Sequence, residues 1–350
     1  MSTTIEVDSF KQQDEQRQLR LEYPRLRHCT FVKDRDDDDR MTMIVGQNHY
    51  EIGRQAGSIE KFLEIKSYFD GRYHIREISE RTGASYEDIK EIVESFLDLE
   101  LMRHEEPLDL IPSADFITRV RDSSIMWKRQ IGYHRLHGML RTGEAPRRVF
   151  VGLIQEVYHY IRSAQKHISV ALAHCTNREW QVLLTDYFNA ECNHYELALQ
   201  TLENLGVPRD RAIGAHPIIG TMSLINMFCE IGRSSTLAYF ACTSLFEARE
   251  EDYESAKDSF EGLAMRYGFG AEAVKPLIEH MRADIGAGHR SLLAEALKDF
   301  KHVEAGEAHY AVNCMHDLKH SFDQFNDQVI QYYSDISNYV PRLKVDYFSL

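Results

Sequence analysis

The chain has 350 residues, with 41 Lys and Arg against 55 Asp and Glu and a formal net charge of −14. That length can hold a large core and divide into two domains, and the acidic balance argues against a general binder of nucleic acid or other polyanions. Six dispersed cysteines (Cys29, Cys175, Cys192, Cys229, Cys242, Cys314) include no CxxC, which fits a reducing cytoplasm better than a disulfide framework. The opening MSTTIEVDSFKQQDEQRQ has no apolar signal-like region. No apolar run approaches the roughly 18 residues of a membrane helix. The expectation is a cytoplasmic protein that partners neither nucleic acid nor membrane.

Residues 1–22 are polar and read as a tail that is disordered or a loosely attached helix. From Tyr23 the text alternates and gains β-formers, in PRLRHCTFVKD and again in RMTMIVGQNHYEIG. Between them, Asp36 to Asp39 form an acidic turn without the Gly and distal Glu of an EF-hand loop. Three short helices are predicted next, over 59–69, over 74–81, and a third capped by Ser85. The third buries Ile89, Ile92, Val93, Phe96, Leu97 and Leu101. Strands followed by three helices predict a small winged-helix domain over 23–106. The third helix is acidic (Glu87, Asp88, Glu91, Glu94, Asp98, Glu100 against Lys90), a face that phosphates would repel. The YPRLR strand, the IVGQNHYEIG hairpin, FDGRYHIREISERTG and the FLDLELM helix end resemble the peptide-chaperone domain of pyrroloquinoline-quinone biosynthesis. The same text resembles the recognition elements of ribosomal-peptide modifying enzymes. The resemblance implies a precursor peptide held by strand addition, with a structural or dimerising role as the alternative.

EEPLDLIPSAD, with Pro107 and Pro112, predicts a linker over 107–113. From 114 to 350 the pattern is helical: 114–140, 147–174, 178–205, 218–231, 234–249, 271–283, 291–301 and 305–333. Seven or eight helices with short loops predict a bundle, so the fold class is mainly α, preceded by a small α+β domain.

Glu191 and His194 stand three apart in the third of these helices. Residues three apart lie on one helix face, about 60° from each other, so a carboxylate and an imidazole can reach one point. Glu247 falls near the end of the helix predicted over 234–249. His280 and Asp284 are four apart and share a face, and His289 follows. Three carboxylates and three imidazoles suit two iron ions: carboxylates bridge and balance charge, and imidazoles fix geometry and leave positions open for O₂.

This order resembles the haem-oxygenase-like diiron oxidases, which share a bundle with haem oxygenase, pyrroloquinoline-quinone synthase and the TenA thiaminases. That superfamily takes a Glu and a nearby His from one core helix, a lone Glu from a second, and His-x3-Asp-x2-His from a third. Its pattern falls on Glu191 with His194, then Glu247, then His280, Asp284 and His289, with ELALQTLENLGV and PIIGTMSLIN as supporting text. The resemblance covers about 114–333. It implies a cofactor of two Fe2+ ions reacting with O2, a manganese–iron pair being compatible with the same ligands. The activity implied is N-oxygenation, desaturation or oxidative C–C cleavage in specialised-metabolite biosynthesis. The implied substrate is a small amino-acid derivative or a residue of a delivered peptide, with an external electron donor and a homodimer as further expectations. One departure stands out: His289 is five residues beyond Asp284, about 140° around a regular helix. Gly286 and Gly288 in the intervening IGAG would have to let the helix bend. Tyr158, Phe188 and Phe240 are candidate pocket residues, from walls expected over 147–174 and 218–246.

Other histidines have blander readings. Glu156 and His159 repeat the Glu-x2-His spacing and read as a supporting or cavity-lining pair. His316 and His320, with Asp317, have no answering carboxylate set, and His167 and His174 share a bundle face. Cys192 is turned about 100° from its neighbours and reads as packing. Two alternatives remain open: a metal-free oxidase like pyrroloquinoline-quinone synthase, and a non-catalytic peptide-binding protein.

Overall fold

The computed structural model describes residues 17–34, 37, 40–53, 58–103, 109–246, 250–286, 291–346 and 348. The chain divides into two compact units, Met1–Pro107 and Leu108–Leu350.

The first unit contains an antiparallel sheet of three strands, β1 (Thr30–Lys33), β2 (Met41–Val45) and β3 (Asn48–Ile52), in the order β1-β2-β3. Met41, Met43 and Val45 alternate inward along β2, as the period of two requires. Val45 pairs with Asn48 across a two-residue turn. Gly46 takes φ +62° there, and such tight hairpin turns need positive φ. Helices α1 (Ile59–Lys66), α2 (Ile75–Thr82) and α3 (Tyr86–Asp98) follow. Ser58 and Ser85 cap α1 and α3 by accepting the amides of Lys61 and Asp88. Phe62, Ile75, Ile78, Ile89 and Val93 pack as the core. Ile92 and Leu97 are only half-buried, and Leu101 is buried beyond the end of α3. Of the acidic turn only Asp37 lies within the described residues.

The second unit begins where a linker was expected. Leu110–Pro112 is instead a strand, β4, paired antiparallel with β5 (His302–Glu304), and Ser113 opens a helix. This ties the start of the bundle to the base of its last helix.

Several long predicted helices are broken. The first becomes α4 (Ser113–Gly132) and α5 (Arg135–Thr142), with the imidazole of His134 accepting the Leu136 amide to start the second. The next becomes α6 (Arg147–Arg162) and α7 (Ala164–His174). Ser163, between them, donates its hydroxyl to the His159 carbonyl, a side-chain bond that competes with the backbone ladder. The third becomes α8 (Arg178–Glu191) and α9 (Tyr195–Asn204). After α10 (Arg209–Gly214) and α11 (Ile219–Ser234), α12 runs only over Thr236–Thr243. Thr243 and Ser244 give their hydroxyls to the carbonyls of Phe240 and Ala241, so the helix expected to reach Glu247 stops short. A helix not predicted at all, α13 (Glu250–Arg266), follows. A 3₁₀ turn at Ala271–Val274 leads into α14 (Lys275–Gly286), then α15 (Leu292–Ala296) and the 30-residue α16 (Ala305–Ser334).

α16 packs against α11, α12, α6 and α4, and α11 also packs on α7. Gly152 on α6 faces the Tyr333 ring so closely that a β-carbon there would overlap it. The same tyrosine donates to Glu156 Oε1 (2.5 Å), while Glu156 Oε2 accepts from Thr221 Oγ1 (2.6 Å) and the Ile218 amide (3.1 Å). Glu156 is fully buried, and three donors answer its charge. No helix among the described residues is long and apolar enough to cross a membrane.

Candidate metal centre

Glu191 is the last residue of α8, and His194 is the residue before α9. The backbone between them stays right-handed, but its hydrogen bonds tighten. The amide of His194 donates to Glu191 O (3.4 Å), that of Glu196 to Asn193 O (3.0 Å) and that of Leu197 to His194 O (3.2 Å). These are bonds to the third residue back, as in a 3₁₀ turn. The Cys192 carbonyl accepts instead from Gln165 Nε2 on α7 at 2.6 Å. Gln165 therefore satisfies the carbonyl at the break between the two candidate ligands.

His194 Nδ1 stands 3.0 Å from Glu191 Oε2, and both side chains are mostly buried. α9 packs against α14, which brings in His280. The His194 and His280 rings meet edge to face with centroids 5.0 Å apart. One donor atom from each of Glu191, His194 and His280 lies within 4.8 Å of the others. Among the described residues, this is the one group of three or more His, Cys, Asp or Glu side chains gathered to that degree. Two imidazoles and one carboxylate at such separations match the donor set that non-haem iron(II) sites use on one face of the ion. The three donors thus fit one ion by type and by reach.

Asp284 is one helical turn after His280 on α14, and its side chain lies outside the described residues. Glu247 and His289 also lie outside them.

Residues 122–248 match the TENA/THI-4/PQQC family model. That span includes Glu191, His194 and Glu247 and stops before His280. The chain also resembles solved structures. A domain of unknown function with a heme oxygenase-like fold from Shewanella denitrificans OS217 is 17% identical. The match covers 65% of this chain and 98% of that one, with a TM-score of 0.52. The bundle has a haem-oxygenase-like fold. A TenA family transcription regulator from Silicibacter sp. TM1040 is 14% identical over 61% of this chain and 96% of that one, at a TM-score of 0.44. A TenA homologue from P. horikoshii OT3 is 12% identical over 63% and 99%, at a TM-score of 0.43. No curated protein matches the chain.

Within the haem-oxygenase-like bundle, the other sequence candidates separate. Tyr158 and Phe240 are fully buried. The Tyr158 hydroxyl accepts from Arg162 (3.1 Å), and Phe240 packs edge-on against Trp180. Both belong to the hydrophobic core, and neither is among the residues lining the cavity that Phe188 borders. Phe188, half-buried on α8, lines a cavity of about 630 Å³. The cavity draws its walls from 159–169, Phe188, 213–217 and Lys344, so it overlaps the first expected wall and not the second. His159 is one of the lining residues, and burial next to the cations of Arg162 and Lys344 pushes its pKa down to about 4. Its partner in the sequence pattern, Glu156, is committed to the buried network with Tyr333 and Thr221. His167 is buried against Phe228 and stands 2.8 Å from the Tyr239 hydroxyl, and burial pushes its pKa down to about 3. His174 is exposed, with Nδ1 2.9 Å from the Val170 carbonyl. His316 and His320 stand with ring nitrogens 3.2 Å apart.

The part taken by Gln165 was not foreseen. Its partner is a backbone carbonyl 27 residues away, and no residue pattern encodes such a pairing.

Proposed function

We propose that the chain is an O2-dependent non-haem iron oxidase or oxygenase whose metal centre is held by Glu191, His194 and His280. Glu247, Asp284 and His289 would complete a two-iron site. The observation that carries this reading is the convergence of a carboxylate and two imidazoles at the broken α8–α9 junction and α14. Bound iron supplies one-electron chemistry and open positions for O2 that organic side chains lack. The chain's own contribution is charge and placement. Glu191 brings a negative charge toward the cation, and its contact with His194 Nδ1 orients that ring. Gln165 holds the kink that sets the two residues side by side. The substrate proposed is a small amino-acid-derived molecule of a biosynthetic pathway.

Anaerobic titration with Fe(II), followed by exposure to O2, tests the proposal. Saturable uptake with transient visible absorption is expected, and a His280→Ala variant should lose at least one equivalent of iron. Failure of the parent protein to take up iron would sink the proposal and favour a metal-free oxidase.

A second reading concerns the first unit. β1 and β3 each pair only with β2 among the described residues, so each presents an outer edge that an extended peptide could join. The unit would then deliver a peptide-borne substrate. Titration of a labelled precursor-type peptide onto the full chain checks this, and unaltered amide exchange in 30–33 and 48–52 would refute it.

A further inference from the structure

The cavity beside α7 and α8 has a one-sided chemistry. Arg162, Lys166 and Lys344 contribute three cations to its lining, and no lining residue carries a carboxylate. In a chain with a net charge of −14, cations so gathered without acids concentrate positive potential in the cleft. The two imidazoles facing it, His159 and His216, feel that field: burial and the neighbouring cations hold both below the ordinary histidine range. At neutral pH they are uncharged hydrogen-bonding groups. The lining also includes the apolar side chains of Phe188, Ile213, Ala215 and Pro217. A volume of about 630 Å³ falls within the range of small-molecule sites.

We propose that this cavity binds a small organic anion, a carboxylate with an apolar body, its charge toward Arg162, Lys166 and Lys344 and its body along Phe188 and Pro217. We further infer that this anion is the substrate of the chemistry proposed above, an assignment that rests on that reading. Two connections support it. Phe188 stands one turn before Glu191 on α8. Gln165 belongs to the cavity lining and also binds the Cys192 carbonyl between Glu191 and His194. An occupant touching Gln165 or Phe188 would act directly on the segments that carry two of the three donors.

The experiment uses the metal-free full chain, titrated calorimetrically with hexanoate, with neutral hexanamide and with inorganic phosphate. Saturable hexanoate binding is expected, and hexanamide should bind at least about tenfold more weakly. A Lys166→Gln/Lys344→Gln variant should lose about five- to tenfold in hexanoate affinity, since each exposed charge contributes modestly. Both lysines are exposed, so this variant folds as the parent does, and matching circular dichroism verifies that. Unchanged hexanoate affinity in the variant, equal binding of hexanamide, or phosphate binding as tight as hexanoate would each overturn the assignment. Metal uptake is followed separately with Co(II). Hexanoate should shift the visible spectrum of the Co(II)-loaded protein. An unshifted spectrum breaks the link to the metal site and leaves the anion site standing. Hexanoate binding without any Co(II) or Fe(II) uptake refutes the metal reading alone.

Discussion

Removing the Tyr333 hydroxyl is a sharp test of how the bundle tolerates a buried carboxylate. In Tyr333→Phe the ring still packs on Gly152, so no cavity opens, and what disappears is the 2.5 Å donor to Glu156 Oε1. A buried hydrogen bond to a charged group contributes about 1.5–3 kcal/mol, and a loss in that range is expected at pH 8. The pH dependence follows from Glu156. Burial raises its pKa, and the bonds from Thr221, Tyr333 and Ile218 oppose that rise. Without Tyr333 the folded-state pKa climbs further. A carboxyl raised in the folded state contributes stability that is complete below its unfolded pKa of about 4.3 and is lost as pH rises through the folded value. The variant therefore gives up more than the parent as pH increases, and its deficit should be smaller at pH 5 than at pH 8. Urea unfolding read by tryptophan fluorescence is suited to the measurement. The two tryptophans, Trp127 and Trp180, both lie in Leu108–Leu350, so the signal reports on the bundle. A deficit below about 0.5 kcal/mol, or one equal at pH 5 and pH 8, would refute the network as the support of Glu156.

Three further expectations follow from the same geometry. Gly152→Ala drives a methyl into the Tyr333 ring and should destabilise the bundle by about 3 kcal/mol or more, in the upper range of overpacking costs; a normal urea midpoint would contradict this. Gln165→Leu removes the donor to the Cys192 carbonyl and should weaken Co(II) uptake about tenfold, as losing a group that orients a ligand does. Its tryptophan-detected midpoint should move little by comparison. Ser85→Ala removes the cap on the Asp88 amide and should reduce the stability of α3 by about 1 kcal/mol, read as faster amide exchange in 86–98 with none in the bundle.

Period and punctuation made the fold legible. Met41, Met43 and Val45 announce a strand, Ser85 announces a cap, and apolar stripes announce the bundle; all three take those places. The helix breaks were illegible because their causes are local hydroxyl bonds and distant partners. Ser163, Thr243 and Ser244 end or divide helices by donating to carbonyls three or four residues back, yet the same residues occur within unbroken helices. α13 was missed because EEDYESAKDSFEGLAMR offers few apolar positions until Phe260 and Leu263. Of the site, Glu191, His194 and His280 could be named from spacing, since each lies on a helical text with its own period. Their gathering depends on α9 packing against α14. Of the cavity, Phe188 and part of the wall over 147–174 were expected, but its cationic character was not, because Arg162 and Lys166, His216 and Lys344 come from three separate stretches that only the folded chain brings together.

The break between α8 and α9 connects these observations. A continuous helix would commit the Cys192 carbonyl to the Glu196 amide and fix Glu191 and His194 on an unchanging ladder. The observed junction exchanges that bond for one from Gln165. The bond is a single side-chain contact reaching over from the cavity wall. Such a contact can be broken and remade without unfolding either helix, and regions with few backbone bonds are where local rearrangement costs least. The junction is therefore suited to a centre whose ligands must shift when substrate arrives. With the anion site proposed above, it would also make the coupling directional: a carboxylate seated against Lys166 would reach Gln165 first and the Glu191–His194 pair through it. Occupancy of the cavity should then shift the Co(II) spectrum more in Gln165-containing protein than in Gln165→Leu, where only the path from Phe188 along α8 remains.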